Sequence, residues 1–240
     1  MSGLLTANPV YKPFRYPWAY EAWLMQQRLH WLPEEVPLAE DVRDWAKSLS
    51  PAERNLLTQV FRFFTQSDVE VNNCYMQHYA SVFKPTEVRM MLAAFSNIET
   101  IHISAYSHLL DTLGMPETEY EAFLHYKEMT DKWDYMRGFN VDSKRDIAKT
   151  MAMFGAFTEG LQLFASFAIL LNFPRFNKMK GMGQIVAWSA RDETLHMQSV
   201  VRLFKTFIAE NPELWDEDLE RELYRACETV VHHEDAFIDL

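Results

Sequence analysis

The tetrad Glu-x-x-His occurs twice in this chain, as Glu99-Thr100-Ile101-His102 and Glu193-Thr194-Leu195-His196, each inside an apolar helical pattern. Ahead of each lies a helical segment carrying an isolated acid. Asp68 stands 31 residues before Glu99, and Glu159 stands 34 before Glu193. Residues i and i+3 share one face of a helix, so each Glu points together with its His. Four carboxylates and two imidazoles placed this way form the ligand set of a two-metal site inside a four-helix bundle. Oxygen and nitrogen donors without a thiolate suit iron or manganese rather than an iron–sulfur cluster. Four carboxylates also balance two divalent cations, which lowers the cost of burying them. Such a site implies dioxygen and redox chemistry.

One Glu-x-x-His alone is weak, because about one accidental match is expected in a chain with eight His and this many Glu. Two copies with acid-bearing helices at matched offsets are stronger. Each His taken singly is as well explained as a satisfied core or surface residue. Asp68 sits in the polar run Gln66-Ser67-Asp68-Val69-Glu70, where Glu70 competes with it and an exposed acid is the plain reading. Glu159 is harder to explain away, since an acid among Phe154, Phe157, Leu161, Leu163 and Phe164 needs a partner.

The elements that must carry these residues are helices. Residues 1–19 form an extended, Pro-containing leader, and Tyr20 to His30 reads as a short helix ended by Trp31-Leu32-Pro33. A second short helix covers about Ala39 to Ser48. Ser50-Pro51-Ala52-Glu53 then gives an N-cap Ser, a Pro at the first helical position and a capping-box Glu, predicting a helix to about Phe83. The next spans Thr86 to Leu113 and stops at Gly114, with Pro116 beyond. Pro116 to Met136 is a more polar helical stretch. Asp142-Ser143 open a long apolar helix closed by Pro174, Lys180 to Asn211 form another, and Pro212 opens the last, still running at Leu240. No strand-like alternation or low-complexity linker divides the chain, so a single all-α domain over 1–240 is expected, a four-helix bundle core with additional helices.

Composition narrows the class. A formal net charge of -11 disfavours a nucleic-acid or anionic-membrane surface. Cys74 and Cys227 have no paired spacing and no secretory signal precedes them, which fits a reducing, cytoplasmic setting. Met151 to Phe173 is long and apolar enough to span a bilayer. Glu159 and Gln162 near its middle favour a buried bundle helix instead, because an unpaired acid is expensive inside a membrane.

Several segments carry a family resemblance. Ser96 to His108 (Ser-Asn-Ile-Glu-Thr-Ile-His-Ile-Ser-Ala-Tyr-Ser-His) resembles the metal and radical-tyrosine helix of class I ribonucleotide reductase small subunits, which are ferritin-like proteins. Ala190-Arg191-Asp192-Glu193-Thr194-Leu195-His196 resembles the second Glu-x-x-His helix of that family, Thr158-Glu159-Gly160 its third ligand helix, and Trp31-Leu32-Pro33-Glu34-Glu35-Val36 its N-terminal Trp-x-Pro-Glu-Glu segment. The matches run in order across most of the chain.

The resemblance implies metal ligands Asp68, Glu99 and His102 for one ion and Glu159, Glu193 and His196 for the other. It implies two iron ions, with Fe/Mn or Mn/Mn pairs served by the same ligand types, and an activating flavoprotein if manganese is used. Tyr106 falls at the radical-bearing position, and its spacing of four from His102 and seven from Glu99 puts its ring on the same face. Trp31 and Asp192 match the residues that pass an electron between surface and metal site. The implied function is a homodimeric small subunit whose tyrosyl radical is sent to a separate large subunit, where ribonucleotides are reduced. Family members continue beyond the equivalent of Leu240 with further helix and a docking tail, so these are expected to be absent from residues 1–240. Ser189 is more polar than the resemblance leads one to expect near a radical. Another two-metal oxidase on the same bundle and a ferritin-like iron-storage protein are the alternatives.

Overall fold

The computed structural model describes residues 3–240, and among them every regular element is helical. Helix α1 spans Pro17–Arg28, α2 Ala39–Arg43 with a π turn continuing it to Ser48, α3 Pro51–Asn73 with a π turn at Cys74–Tyr79 continuing it to Val82, α4 Thr86–Leu113, α5 Thr118–Glu121 and α6 Lys127–Arg137. The long helix α7 covers Lys144–Arg175, α8 covers Lys180–Glu210 and α9 covers Glu217–Ile238. Helices α3, α4, α7 and α8 form the central bundle. Helix α3 packs on α4 and α7 on α8, α1 crosses α4, and α9 closes the far side against α6 and α7.

Local chemistry explains most boundaries. Ser50 caps α3 by accepting the Glu53 N–H at 3.2 Å, while the Glu53 carboxylate accepts the Ser50 N–H at 2.8 Å. Such a cap stabilises the helix by about 1 kcal/mol. Gly114 ends α4 with a left-handed φ of 73°, a conformation that costs a residue without Cβ little. Gly155 lets α7 lie directly on Val200 of α8, where any Cβ would collide with the valine methyls.

Four boundaries differ from those read from the sequence. Helix α1 begins at Pro17, whose fixed φ and missing N–H suit the first helical position. Helix α7 runs one residue past Pro174 and ends at Arg175; the proline has no N–H to give the carbonyl four residues earlier, and the helix stops within one residue of that missing bond. Helix α8 ends at Glu210, with Asn211 as its C-cap. The last helix begins not at Pro212, which opens a short 3₁₀ turn, but at Glu217, where the Asp216 carboxylate accepts the Leu219 N–H at 2.7 Å. The stretch after Pro116 is also broken, by an extended Tyr126, into α5, a 3₁₀ turn and α6.

Two further features position the bundle. The start of α8 is held by a buried acid from α2: Asp41 accepts the Gly181 N–H at 2.9 Å and the Met182 N–H at 2.8 Å. Those two N–H groups would otherwise be orphans of the helix end. The leader is tied down as well, since Leu4 N–H donates to Glu210 and the Arg15 and Tyr16 N–H groups donate to Glu87 at 2.7 and 2.8 Å. Helix α7 is long and apolar enough to cross a membrane by composition, yet in the fold Glu159 and Gln162 are buried against neighbouring helices.

Helix α9 is fixed by a buried ion pair. Lys132 Nζ lies 2.5 Å from Glu234 Oε1 and 4.3 Å from the centre of the Phe237 ring. Burial pushes the lysine pKa down and the glutamic acid pKa up, and each partner opposes the shift of the other. Removing one partner strands a buried charge, whereas replacing both by apolar groups does not. Lys132→Met should therefore cost roughly 3–5 kcal/mol in denaturant unfolding, and the double variant Lys132→Met/Glu234→Leu should recover most of that loss. Equal losses in the single and double variants would contradict this account.

Candidate metal centre

The bundle brings all six sequence-predicted acids and imidazoles to one level. Asp68 comes from α3, Glu99 and His102 from α4, Glu159 from α7, and Glu193 and His196 from α8, and none is more than 2 % exposed. His102 Nδ1 lies 3.5 Å from Glu99 and 3.1 Å from Glu193, while His196 Nδ1 lies 2.9 Å from Glu99, 3.5 Å from Glu193 and 3.6 Å from Glu159. Glu99 and Glu193 thus face both imidazoles, as carboxylates bridging two ions would. Ligand atoms of Glu99, Glu159, Glu193 and His196 all lie within 4.8 Å of one another. The competing acid Glu70 points elsewhere, accepting the Trp133 indole N–H at 2.7 Å.

Whether cations fit is decided by the atoms left without partners. Asp68 Oδ2, both oxygens of Glu99 and of Glu193, Glu159 Oε2, and Nδ1 of both His102 and His196 are buried and make no hydrogen bond. Stranding that many polar atoms around one point costs too much unless something positive sits between them. Glu159 also lies in the wider π-helical stretch Ala152–Gln162 of α7, a local unwinding that frequently marks functional sites.

The outer face of each imidazole is equally determined. His102 Nε2 lies 3.3 Å from Asp192 Oδ2, and the Trp31 indole N–H donates to that same oxygen at 2.8 Å. Trp31, Asp192 and His102 therefore form one continuous chain into the site. His196 Nε2 lies 3.1 Å from Gln26 Oε1, and the Gln26 amide nitrogen reaches Asp192 Oδ1 at 3.4 Å. Both rings are thus turned with Nδ1 inward, the orientation that outer partners impose on metal-binding histidines.

Sequence reasoning missed Gln26 and Tyr75. Gln26 continues the buried stripe Ala19 and Ala22 of α1 at helical spacing, and a lone amide on such a stripe was the available signal. Tyr75 stands seven residues after Asp68, hence on nearly the same face, and its hydroxyl donates to Glu159 Oε1 at 2.6 Å.

Tyr106 is fully buried one turn beyond His102. Its ring meets Phe64 edge-on at 4.7 Å, and Phe64 in turn meets Phe167 at 5.4 Å. Its hydroxyl donates to Ser189 Oγ at 3.1 Å. Burial, reinforced by the nearby negative charge of Asp68, drives its pKa far above that of a free phenol, so the ring is held neutral and protonated.

The carboxylates and imidazoles shift one another. Burial raises the Glu159 carboxyl to about 8, and burial together with Glu99 holds the Asp68 carboxyl well above the ordinary range. For Glu99, burial is outweighed by the two imidazoles beside it, His102 and His196, and its pKa falls. Burial would lower both imidazoles, but the carboxylates around them prevail and raise both well above 6.5. Asp192 is also pulled down, burial being outweighed by His102 and then Trp31.

Four helices converging two Glu-x-x-His pairs and two further acids define a ferritin-like bundle with a candidate dinuclear metal centre. Comparison with known proteins assigns the family. Residues 8–240 match the family model for the ribonucleotide reductase small chain, and the chain belongs to that family. It is 45% identical to the protein described as "Probable ribonucleoside-diphosphate reductase small subunit 376L" of Invertebrate iridescent virus 6, over 99% of this chain and 71% of that one. Among solved structures, the ribonucleotide reductase R2 subunit of Clostridium botulinum superposes with a TM-score of 0.88 at 23% identity, covering 98% of this chain and 76% of its own. An R2-like ligand-binding oxidase carrying a Mn/Fe cofactor superposes at 0.70 and 15% identity, covering 92% and 79%. The chain is thus a small subunit of ribonucleoside-diphosphate reductase, an oxidoreductase that works with a large subunit.

Two outcomes follow from the geometry. Groups whose pKa is raised hold protons near neutral pH, and a cation must displace them. Anaerobic addition of Fe²⁺ or Mn²⁺ should therefore release protons, and affinity should fall as pH drops from about 8 toward 6, because Glu159, Asp68 and both imidazoles become harder to deprotonate. Titration calorimetry in buffers of different ionisation enthalpy reads this, and Glu159→Gln should lower the proton count. Gln26→Leu should weaken metal binding roughly 10–100-fold, the usual effect of removing a ligand's outer partner. An unchanged affinity would show that Gln26 does not orient His196.

Proposed function

We propose that Asp68, Glu99, His102, Glu159, Glu193 and His196 hold two iron ions and that Tyr106 carries the radical this subunit delivers. The observation that carries this reading is a buried phenol one turn from a candidate ligand, beside a hydrogen-bonded chain of Trp31, Asp192 and His102 leading out of the same site. A storage protein has no need of such a chain. A ligand-binding oxidase remains the second reading, favoured by the shared bundle but not by the combination of Trp31, Asp192 and Tyr106.

When bound, the metal pair supplies the redox chemistry of dioxygen or another activated oxygen species. The protein does the rest. A pair of ions held there would supply the one-electron oxidant; Tyr106 would then lose one electron, and its hydroxyl proton would pass to a carboxylate of the site such as Asp68, whose charge bears on the phenol, leaving a neutral phenoxyl. Phe64, Phe167 and the surrounding apolar side chains exclude the water and reductants that would quench it. During transfer Asp192 Oδ2 can hold the Trp31 indole proton while the ring loses an electron, so that no isolated charge is created in the buried site. Trp31 leads the oxidising equivalent toward the large subunit, which binds the ribonucleotide. Pairing of two copies as a homodimer and a cytoplasmic setting complete the proposal, the latter in keeping with unpaired Cys74 and Cys227. The same ligands accept Fe/Mn or Mn/Mn pairs, with an activating flavoprotein in the manganese case.

Reconstitution with ferrous iron and oxygen, followed by electron paramagnetic resonance, tests the assignment. Wild type should give a tyrosyl signal and Tyr106→Phe none. Trp31→Phe should keep the signal while turnover with the large subunit is lost. A signal obtained only with manganese and a flavoprotein reassigns the metal, and a full metal complement without any radical removes the proposal.

A further inference from the structure

Among the described residues, Ser189 is the one polar side chain hydrogen-bonded to Tyr106, and it is 1 % exposed. A serine or threonine inside a helix ordinarily turns its hydroxyl back to the carbonyl four residues earlier. Thr194 on α8 does so, donating to the Ala190 carbonyl at 2.7 Å, and Thr206 does the same toward Arg202 at 2.8 Å. Ser189 instead faces across the bundle to the Tyr106 hydroxyl at 3.1 Å, where its oxygen accepts. Its own O–H is left free to turn. An alanine would fill the same backbone position without placing a hydroxyl in an apolar core.

The position of this contact is also specific. Ser189 lies one turn before Glu193 on α8, and Tyr106 lies one turn after His102 on α4. The hydrogen bond thus links the two Glu-x-x-His helices one turn away from the level of the candidate ligands. It is a direct tie between the phenol oxygen and the helix that supplies half of the paired motif.

We infer that Ser189 is a positioning and tuning residue for the Tyr106 radical. It accepts the phenol O–H in the resting protein and, once that proton has left, turns its own O–H to donate to the phenoxyl oxygen. Ser189 neither gains nor loses a proton or an electron in this role. Only the direction of the hydrogen bond reverses, and the reversal needs no more than rotation about one C–O bond. A donor at the phenoxyl oxygen stabilises the oxygen lone pair and draws spin density toward the ring. A tyrosyl in a wholly apolar pocket lacks both effects. The inference rests on the proposal that Tyr106 carries the radical.

Its test separates the two. Wild type, Ser189→Ala and Ser189→Thr are reconstituted in H₂O and in D₂O, and the radical is examined by high-field electron paramagnetic resonance and deuterium electron–nuclear double resonance. Wild type and Ser189→Thr should show an exchangeable deuteron coupled to the phenoxyl oxygen. Ser189→Ala should lose that coupling, and its largest g value should rise. Apoprotein provides a metal-independent reading through ultraviolet resonance Raman difference spectra, where the tyrosine doublet that reports hydrogen bonding should change in Ser189→Ala and be assigned with Tyr106→Phe. A radical with the same g values and the same exchangeable coupling in wild type and Ser189→Ala overturns this inference and leaves the Tyr106 proposal standing. A fully metallated wild type without a radical overturns both.

Discussion

Four buried carboxylates gathered around two imidazoles are the constraint on which the remainder of this structure depends. Glu99 and Glu193 leave both oxygens unpartnered, and Asp68 and Glu159 each leave one. Without cations such a centre is a concentration of unmatched charge, and the protein offsets it by retaining protons on Glu159, Asp68 and the imidazoles. The same groups that make the bundle costly to assemble make it a strong cation trap. Rigid helices and a capped α8 keep the six side chains from turning away to find other partners, and Asp41 supplies that cap from outside the bundle.

Two opposite environments lie side by side in this bundle. One is the polar centre, with every outer nitrogen and several carboxylate oxygens fixed by named partners. The other is the apolar wall of Phe64, Phe167 and their neighbours around Tyr106. Helix α4 carries one side chain into each, His102 and Tyr106, separated by a single turn. Helix α7 contributes to both as well, placing Glu159 in the polar centre and Phe167 in the wall.

Most of the fold was legible because helix punctuation here is chemical. Ser50, Gly114 and Ser143 cap or end helices at the residues the sequence indicated. Pro174 and Pro212 were misleading for a common reason: proline marks where a helix is weakest, and the actual boundary is set by whichever nearby group can satisfy the free N–H or C=O groups. The candidate ligands were legible because i, i+3 spacing is a local property of one helix. Gln26, Tyr75 and Asp41 were not, since each acts on a helix far away in the chain, and no local pattern records which distant partner a buried amide, phenol or acid will meet. The odd polarity of Ser189 was visible in the sequence, but its meaning required the position of Tyr106 across the bundle.

The two imidazoles are backed by different species. His102 leans on the carboxylate of Asp192, an anion, whereas His196 leans on the carbonyl end of the Gln26 amide, a neutral dipole. The amide can point only one way, because its nitrogen end must meet Asp192 and its oxygen end the ring nitrogen. Two candidate ligands of identical type thus meet unlike outer partners. An anion behind the His102 ring and a neutral dipole behind the His196 ring would give any pair of ions held there two unlike sides before an oxidant arrives.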